Sequence, residues 1–182
     1  MSHFNIQKFD FYPQFKNWYF KILKKFKFDY KKDVEAAQVI THILSEKEPS
    51  WDLSKILNSF QDHIKSREII MIYGCGPSLE ETVSKLKTIL SDSFFNQVIN
   101  LAADGASVLL REMGIPIDGI FTDLDGISEK ELTIAKFIVV HAHGDNIDKI
   151  LKYKESILKL KNLLVTVQVE PTDFTLNAGG FT

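Results

Sequence analysis

The residues best suited to chemistry stand together at Phe121-Thr122-Asp123-Leu124-Asp125-Gly126. A β-type run, Gly119-Ile120-Phe121, ends here in two carboxylates separated by one residue. In an extended chain residues i and i+2 point to the same side. Asp123 and Asp125 are therefore expected to converge, and Gly126 lets the backbone turn away beneath them. Two hard, anionic oxygen donors beyond a strand end suit Mg²⁺ carrying phosphate, a metal held by one or two carboxylates plus substrate oxygens. The competing reading is a polar turn whose Asp side chains cap backbone groups.

Other polar clusters follow other apolar runs. Gly74-Cys75-Gly76-Pro77-Ser78 comes after Ile69-Ile70-Met71-Ile72-Tyr73 and before a helical pattern from Leu79 to Leu90. Strand, glycine turn, helix offers backbone N–H groups and a helix N-terminus to an anion. Ser78 is the expected N-cap, with Glu81 placed as in a capping box. The turn is neither a Walker A loop nor a G-x-G-x-x-G fingerprint, and it could equally be a tight connection. Cys75 is read as a small turn residue, since no feature marks it as an activated nucleophile. Asp104 and Gly105 follow a strand over Gln97 to Ala102, where Asp104 could be a simple N-cap. His141-Ala142-His143-Gly144-Asp145-Asn146 follows Lys136 to Val140. His143 is read as a phosphate contact or general acid–base, and His141 could be a strand-end histidine bonded to backbone. Zinc is a weaker alternative, because no cysteine stands nearby. Gln168 ends a fifth run, from Leu163.

The elements that must carry these residues alternate after Glu68: strand, helix, strand, helix. That order predicts an α/β domain built on a parallel, doubly wound, Rossmann-like sheet of about five or six strands. In such sheets ligands bind beyond the carboxyl ends of the strands. Every polar cluster follows a strand, whereas unrelated turns would scatter such residues at both ends. Before the sheet, residues 1–66 read as a helical segment, leaving 67–182 as the catalytic domain. Pro13 opens a pattern of Phe15, Trp18, Tyr19, Ile22, Leu23 and Phe26 with interleaved lysines. Such a stripe is expected to pack on the domain or a second subunit, which makes a homodimer through these helices an expectation. Asp33 is the expected N-cap of a helix over 34–45, and Trp51 to Ile64 a further helix.

Composition narrows the function classes. With 182 residues, 45% of them hydrophobic, the chain can bury a core. A net charge of −2 argues against a nucleic-acid surface. One cysteine excludes an internal disulfide and fits a reducing compartment. No apolar run reaches the roughly 20 residues of a membrane span, and no signal-peptide core opens the chain. A cytoplasmic protein is expected, without nucleic-acid or membrane partners.

Taken together, five motifs resemble the archaeal 6-hydroxymethyl-7,8-dihydropterin diphosphokinase family, the MptE-like proteins. They are Gly74 to Leu79, Ala103-Asp104-Gly105-Ala106, Thr122 to Gly126, His141 to Asn146, and Asn177-Ala178-Gly179-Gly180-Phe181-Thr182. The helices around Trp18-Tyr19 and Asp33–Ala37 also look like that family's N-terminal region, and its catalytic half is similar in fold to thiamin diphosphokinase. The resemblance implies transfer of diphosphate from ATP to the pterin hydroxymethyl group, with release of AMP, in archaeal methanopterin- or folate-type cofactor biosynthesis. It implies that Asp123 and Asp125 hold Mg²⁺ and that Asp104 completes the metal site. It implies that Gly74, Gly76, Pro77, Ser78 and Gly105 line the nucleotide or pterin pocket. His143 would position the attacking hydroxyl, with His141, Gly144, Asp145, Asn146, Gln168, Gly179 and Gly180 completing the phosphate and nucleotide contacts. The family's last motif normally runs on into an Asp-Gly-Asp-Arg-type stretch, so the catalytic domain is expected to be cut short at Thr182. The alternatives are a thiamin diphosphokinase-like enzyme, a glycosyltransferase-like relative, and a nucleotide- or sugar-phosphate-binding module without turnover.

Overall fold

The structure, a computed structural model, describes residues 12–169. The readings that fall on residues 1–11 and 170–182, Gly179 and Gly180 included, lie outside the described residues. Three helices come first: α1 (Tyr12–Phe26), α2 (Tyr30–Ser45) and α3 (Leu53–Lys65). The α/β part follows as β1 (Ile70–Tyr73), α4 (Leu79–Ile89), α5 (Asp92–Phe95), β2 (Ile99–Ala103), α6 (Ala106–Glu112) and β3 (Gly119–Thr122). It continues as α7 (Glu129–Ile134), β4 (Phe137–Ala142), a 3₁₀ turn (Gly144–Asn146), α8 (Ile147–Lys152), α9 (Lys154–Lys159) and β5 (Leu163–Val167).

The five strands are parallel and lie in the order β1-β2-β3-β4-β5. Helices cover both faces, as buried parallel strands require, but the two layers have different origins. The strand order does not reverse among the described residues, so right-handed crossovers put their helices on one face. Accordingly Val83, Phe95, Leu110, Leu132, Ile150 and Ile157 of the crossover helices share one core with Tyr73, Ala102, Ile120, Ile138 and Val140. The opposite face is covered by α3, whose Ile56 and flanking Leu57 and Phe60 pack on Phe137, Val139 and Leu164. This cover stops short of the β1 edge. There Ile70 is 43% and Ile72 78% exposed, so β1 is buried on one face where its apolar run predicted two.

The helical segment joins the same core. Ala36, Ile40, Ile43 and Leu44 of α2 lie in the main cluster beside α8 and α9. Only part of the α1 stripe is buried: Tyr19 and Leu23 are, whereas Trp18 is 65% and Phe26 58% exposed. Two cap assignments are corrected. The α2 N-cap is Asp29, whose side chain accepts from Lys31 N, so Asp33 lies inside the first turn. Ser78 precedes α4 without a side-chain cap bond. Gly114 follows the Met113 C-cap of α6 in the left-handed region, at φ 69°, the usual place for a helix-ending glycine. The helical stretch after Asn146 breaks at Tyr153 into α8 and α9.

Candidate active site

Because the strands are parallel and adjacent in order, the loops after β1 to β4 stand side by side along one edge. Each touches the next. A Cβ added to Gly105 would stand 3.1 Å from Cys75 Sγ and 3.4 Å from the Gly126 carbonyl oxygen, so the first three loops meet at this glycine. Asp104 Oδ1 accepts the backbone N–H of Asp123 at 3.1 Å. Asp104 therefore does not use its side chain to cap α6; its carbonyl does that, accepting Ser107 N–H and O–H. Between the third and fourth loops, Asn146 Nδ2 donates to the carbonyls of Asp123 (2.9 Å) and His141 (2.7 Å). Its Oδ1 accepts His143 N–H at 2.9 Å. Asn146 is 1% exposed with both polar atoms engaged, which sets it behind the rim as a cross-link rather than on the rim as a ligand contact.

The backbone of the acidic loop differs from the extended form assumed for the i, i+2 argument. Leu124 lies at φ 71°, and its N–H is taken by Thr122 Oγ1 at 2.8 Å. Asp123 Oδ1 accepts Asp125 N–H at 2.8 Å, an Asx turn. Asp104 is also left-handed, at φ 44°. Two such non-glycine residues in adjacent loops concentrate strain of about 1–3 kcal/mol each where the acids stand, as functional sites often do. The outward oxygens have cationic or histidine neighbours. Asp123 Oδ2 lies 3.4 Å from His143 Nε2, and Asp125 Oδ2 lies 3.1 Å from Lys149 Nζ. The hydrogen bond and charge of Lys149 hold the Asp125 carboxyl below the usual range.

The histidines have separate roles. Asp145 N–H points to His143 Nδ1 at 3.4 Å, so the ring proton sits on Nε2, facing Asp123. His141 Nε2 accepts from Gln168 Nε2 at 2.9 Å, and its Nδ1–H then donates to Thr166 Oγ1, also at 2.9 Å. Burial, and secondarily His143, push His141 below the usual histidine value, keeping it neutral. With both its ring nitrogens engaged, His141 has no lone pair for zinc. No group of three or more His, Cys, Asp or Glu is gathered to hold a metal ion among the described residues. The donor set is thus two acidic residues in one turn, with Asp104 bonded to the backbone beneath them. That suits a metal that keeps most of its positions for phosphate and water, and not one that needs a closed protein cage.

The glycines divide in the same way. A Cβ on Gly74 or Gly76 would meet nothing within 4 Å, and Gly74 to Ser78 are all exposed. Their glycines are not required by packing; they form a tight turn, Gly76 N–H donating to the Gly74 carbonyl at 2.9 Å, whose backbone is open to approach from outside. Gly144 is the reverse: its crowding comes from α2, with a Cβ there 2.5 Å from Lys32 Cβ. Among the described residues the rim is exposed at Gly74–Ser78 and at Asp125. Two hollows, of about 400 and about 650 Å³, lie elsewhere, the first beside Ser128 and Tyr153 and the second beside Lys47 and Trp51. Sequence reasoning missed Lys149, and the one available signal was a basic residue in the first turn after an anion-type loop.

Residues 45–182 match the family described as 6-hydroxymethylpterin diphosphokinase MptE-like. Three curated archaeal proteins, each named 6-hydroxymethyl-7,8-dihydropterin pyrophosphokinase, are similar along nearly the whole chain. The Methanocaldococcus jannaschii protein is 38% identical over 92% of this chain and 69% of its own length. The Pyrococcus furiosus protein is 34% identical over 94% and 68%, and the Methanothermobacter thermautotrophicus protein 31% over 91% and 66%. The chain therefore spans about two thirds of each relative. Four interlocked loops on one edge of a parallel sheet, with a family match running through all of them, lead to one conclusion: this chain belongs to the MptE-like 6-hydroxymethylpterin diphosphokinase family.

Proposed function

We propose that the protein is a diphosphotransferase that moves diphosphate from ATP to the hydroxymethyl group of 6-hydroxymethyl-7,8-dihydropterin. The hydroxyl oxygen bonds to the β-phosphorus, the bond from that phosphorus to the oxygen bridging to the α-phosphate breaks, and AMP leaves with that oxygen. The alcohol proton is released. The observation that carries this reading is the bonded contact between the loops after β2, β3 and β4 through Asp104, Asp123 and Asn146. Transfer to an alcohol needs positioning and charge neutralisation more than covalent chemistry; the rim would supply the first, and a Mg²⁺ held on it the second.

Asp123 and Asp125 would hold Mg²⁺, which when bound neutralises phosphate charge and aligns the entering and leaving oxygens. The chain's own groups do the rest. The exposed Gly74–Ser78 turn would let phosphate oxygens approach the start of α4, although Gly76 N–H already donates to the Gly74 carbonyl and Pro77 has none. Lys149 adds a cation at the rim, beside Asp125. His143 keeps a proton on Nε2 against Asp123, fixing that carboxylate's direction.

A panel of alcohols tests the reading: hydroxymethyldihydropterin, thiamin, and a nucleotide sugar in a parallel arm, each with ATP, with and without Mg²⁺. AMP formation dependent on both Mg²⁺ and the pterin is the expected result. AMP with thiamin alone would reassign the enzyme, and nucleotide binding without turnover in any arm would leave a binding module.

A further inference from the structure

Asp33 is a buried carboxylate, 7% exposed, in the first turn of α2, where it does not serve as the cap. Burying a carboxylate is costly unless its oxygens are hydrogen-bonded. Both are. Oδ2 accepts the Tyr19 hydroxyl from α1. Oδ1 accepts the backbone N–H of Gly144 at 2.6 Å, across 111 residues of sequence. The seat is tight as well as bonded. A Cβ at Gly144 would lie 2.5 Å from Lys32 Cβ, 3.1 Å from the Lys32 carbonyl carbon and 3.2 Å from Asp33 N. Two of these three atoms are backbone, so the turn of α2 and the loop after β4 fit only with glycine between them.

The Gly144 N–H belongs to the peptide that follows His143. Its bond to Asp33 fixes the plane of that peptide, and with it the direction in which the His143 side chain leaves the backbone. Asn146 fixes the other side of the same residue through His143 N–H. Between these two anchors His143 Nε2 faces Asp123.

We propose that Asp33 is a positioning residue for the site: its carboxylate holds the loop after β4 so that His143 meets Asp123. The helical segment is then part of the catalytic apparatus, and α1 contributes through Tyr19. The catalytic half of this inference rests on the diphosphotransferase reading; the placement of the loop does not.

The test uses the full chain and two readouts. The first is amide hydrogen exchange at Gly144 and its neighbours, and the second is steady-state kinetics with ATP and the pterin alcohol. Asp33→Ala removes the acceptor and is expected to speed Gly144 exchange by about 100-fold or more, as for an amide opened locally. It should lower kcat by about 10- to 100-fold with KM for ATP within about twofold, the signature of misplacement rather than lost binding. Asp33→Asn keeps an acceptor oxygen and should restore Gly144 protection and most of kcat. If Asp33→Ala fails to fold, Gly144→Ala probes the same contact from the loop side and should give the same kinetic split. Wild-type exchange at Gly144 in Asp33→Ala would overturn the inference. So would a loosened loop with unchanged kcat, or a kcat loss that Asp33→Asn does not recover. Were wild-type protein to form no AMP, the functional reading would fall while exchange still decided whether Asp33 holds the loop.

Discussion

At the scale of single residues, the account assigns the acids different work. Asp104 bonds the Asp123 backbone, Asp123 is shared between its own turn and His143, and Asp125 stands outermost with Lys149. Asp123→Asn and Asp125→Asn should each lower kcat by on the order of 10²–10⁴, the scale of a lost electrostatic group at a reacting centre. Wild-type turnover in either variant would remove that residue from the metal role. Lys149→Gln should let the Asp125 carboxyl titrate nearer its ordinary value of 3.8, upward from its present position, as followed by carbon NMR. An unmoved titration would show that the ion pair is not what lowers it. The acidic pair was conspicuous in the sequence because it follows a β-type run, and Asp123 also does what the competing turn reading expected, accepting Asp125 N–H. The geometry of the pair was not legible there. The i, i+2 argument assumes extended backbone, and Leu124 at φ 71° breaks it. Asn146 read as a ligand contact because nothing in a sequence tells a polar side chain that faces solvent from one consumed by carbonyls of two loops.

Among the elements, α7 shows how a short helix is fixed by its ends. Ser128 and Glu131 form a capping box, and the S-x-x-E spacing was there to find, although six residues carry too little periodicity to announce a helix. Glu131 is 1% exposed and takes bonds from Ser128 N (2.8 Å), Ser128 Oγ (2.6 Å) and Arg111 Nε (2.7 Å). Burial pushes its carboxyl up, but the bonds from Ser128 and Arg111 outweigh this and bring it down to about 2. A folded value below the unfolded one means stabilisation that is complete above about pH 4.5 and lost as pH falls toward 2. Glu131→Gln should therefore cost on the order of 2–3 kcal/mol at neutral pH, and the difference from wild type should shrink across that acid window. Urea unfolding at a series of pH values measures it, and a difference that did not change with pH would refute the linkage. Strand positions were recovered to within about two residues because continuous β-branched runs bounded by glycine and polar turns leave little ambiguity. Capping was harder: Asp29 and Asp33 are both reasonable N-caps by type, and in the fold Asp29 caps α2 while Asp33 bonds the loop after β4.

For the whole molecule, the parallel sheet followed from alternation alone, while the covering of its two faces did not. Crossover handedness fills one face, and α3, which precedes the sheet in sequence, fills part of the other. Phe137 stands at that second layer, 1% exposed, with its ring 5.1 Å from Phe60 and 5.7 Å from His63 of α3. Phe137→Ala should cost about 3–5 kcal/mol and leave unfolding a single transition, since α3 and the sheet share this core. Two resolved transitions would show that α3 folds apart from it. The same integration lets an N-terminal helix reach the loop after β4 through Asp33. The central claim is that this edge transfers diphosphate as a unit from ATP to a pterin alcohol. Phosphorus NMR of wild-type protein with ATP, Mg²⁺ and 6-hydroxymethyl-7,8-dihydropterin tests it most directly. The account predicts AMP and a new pair of diphosphate-ester resonances in equal amounts; ADP with a monophosphate ester, or ATP left intact, would contradict it.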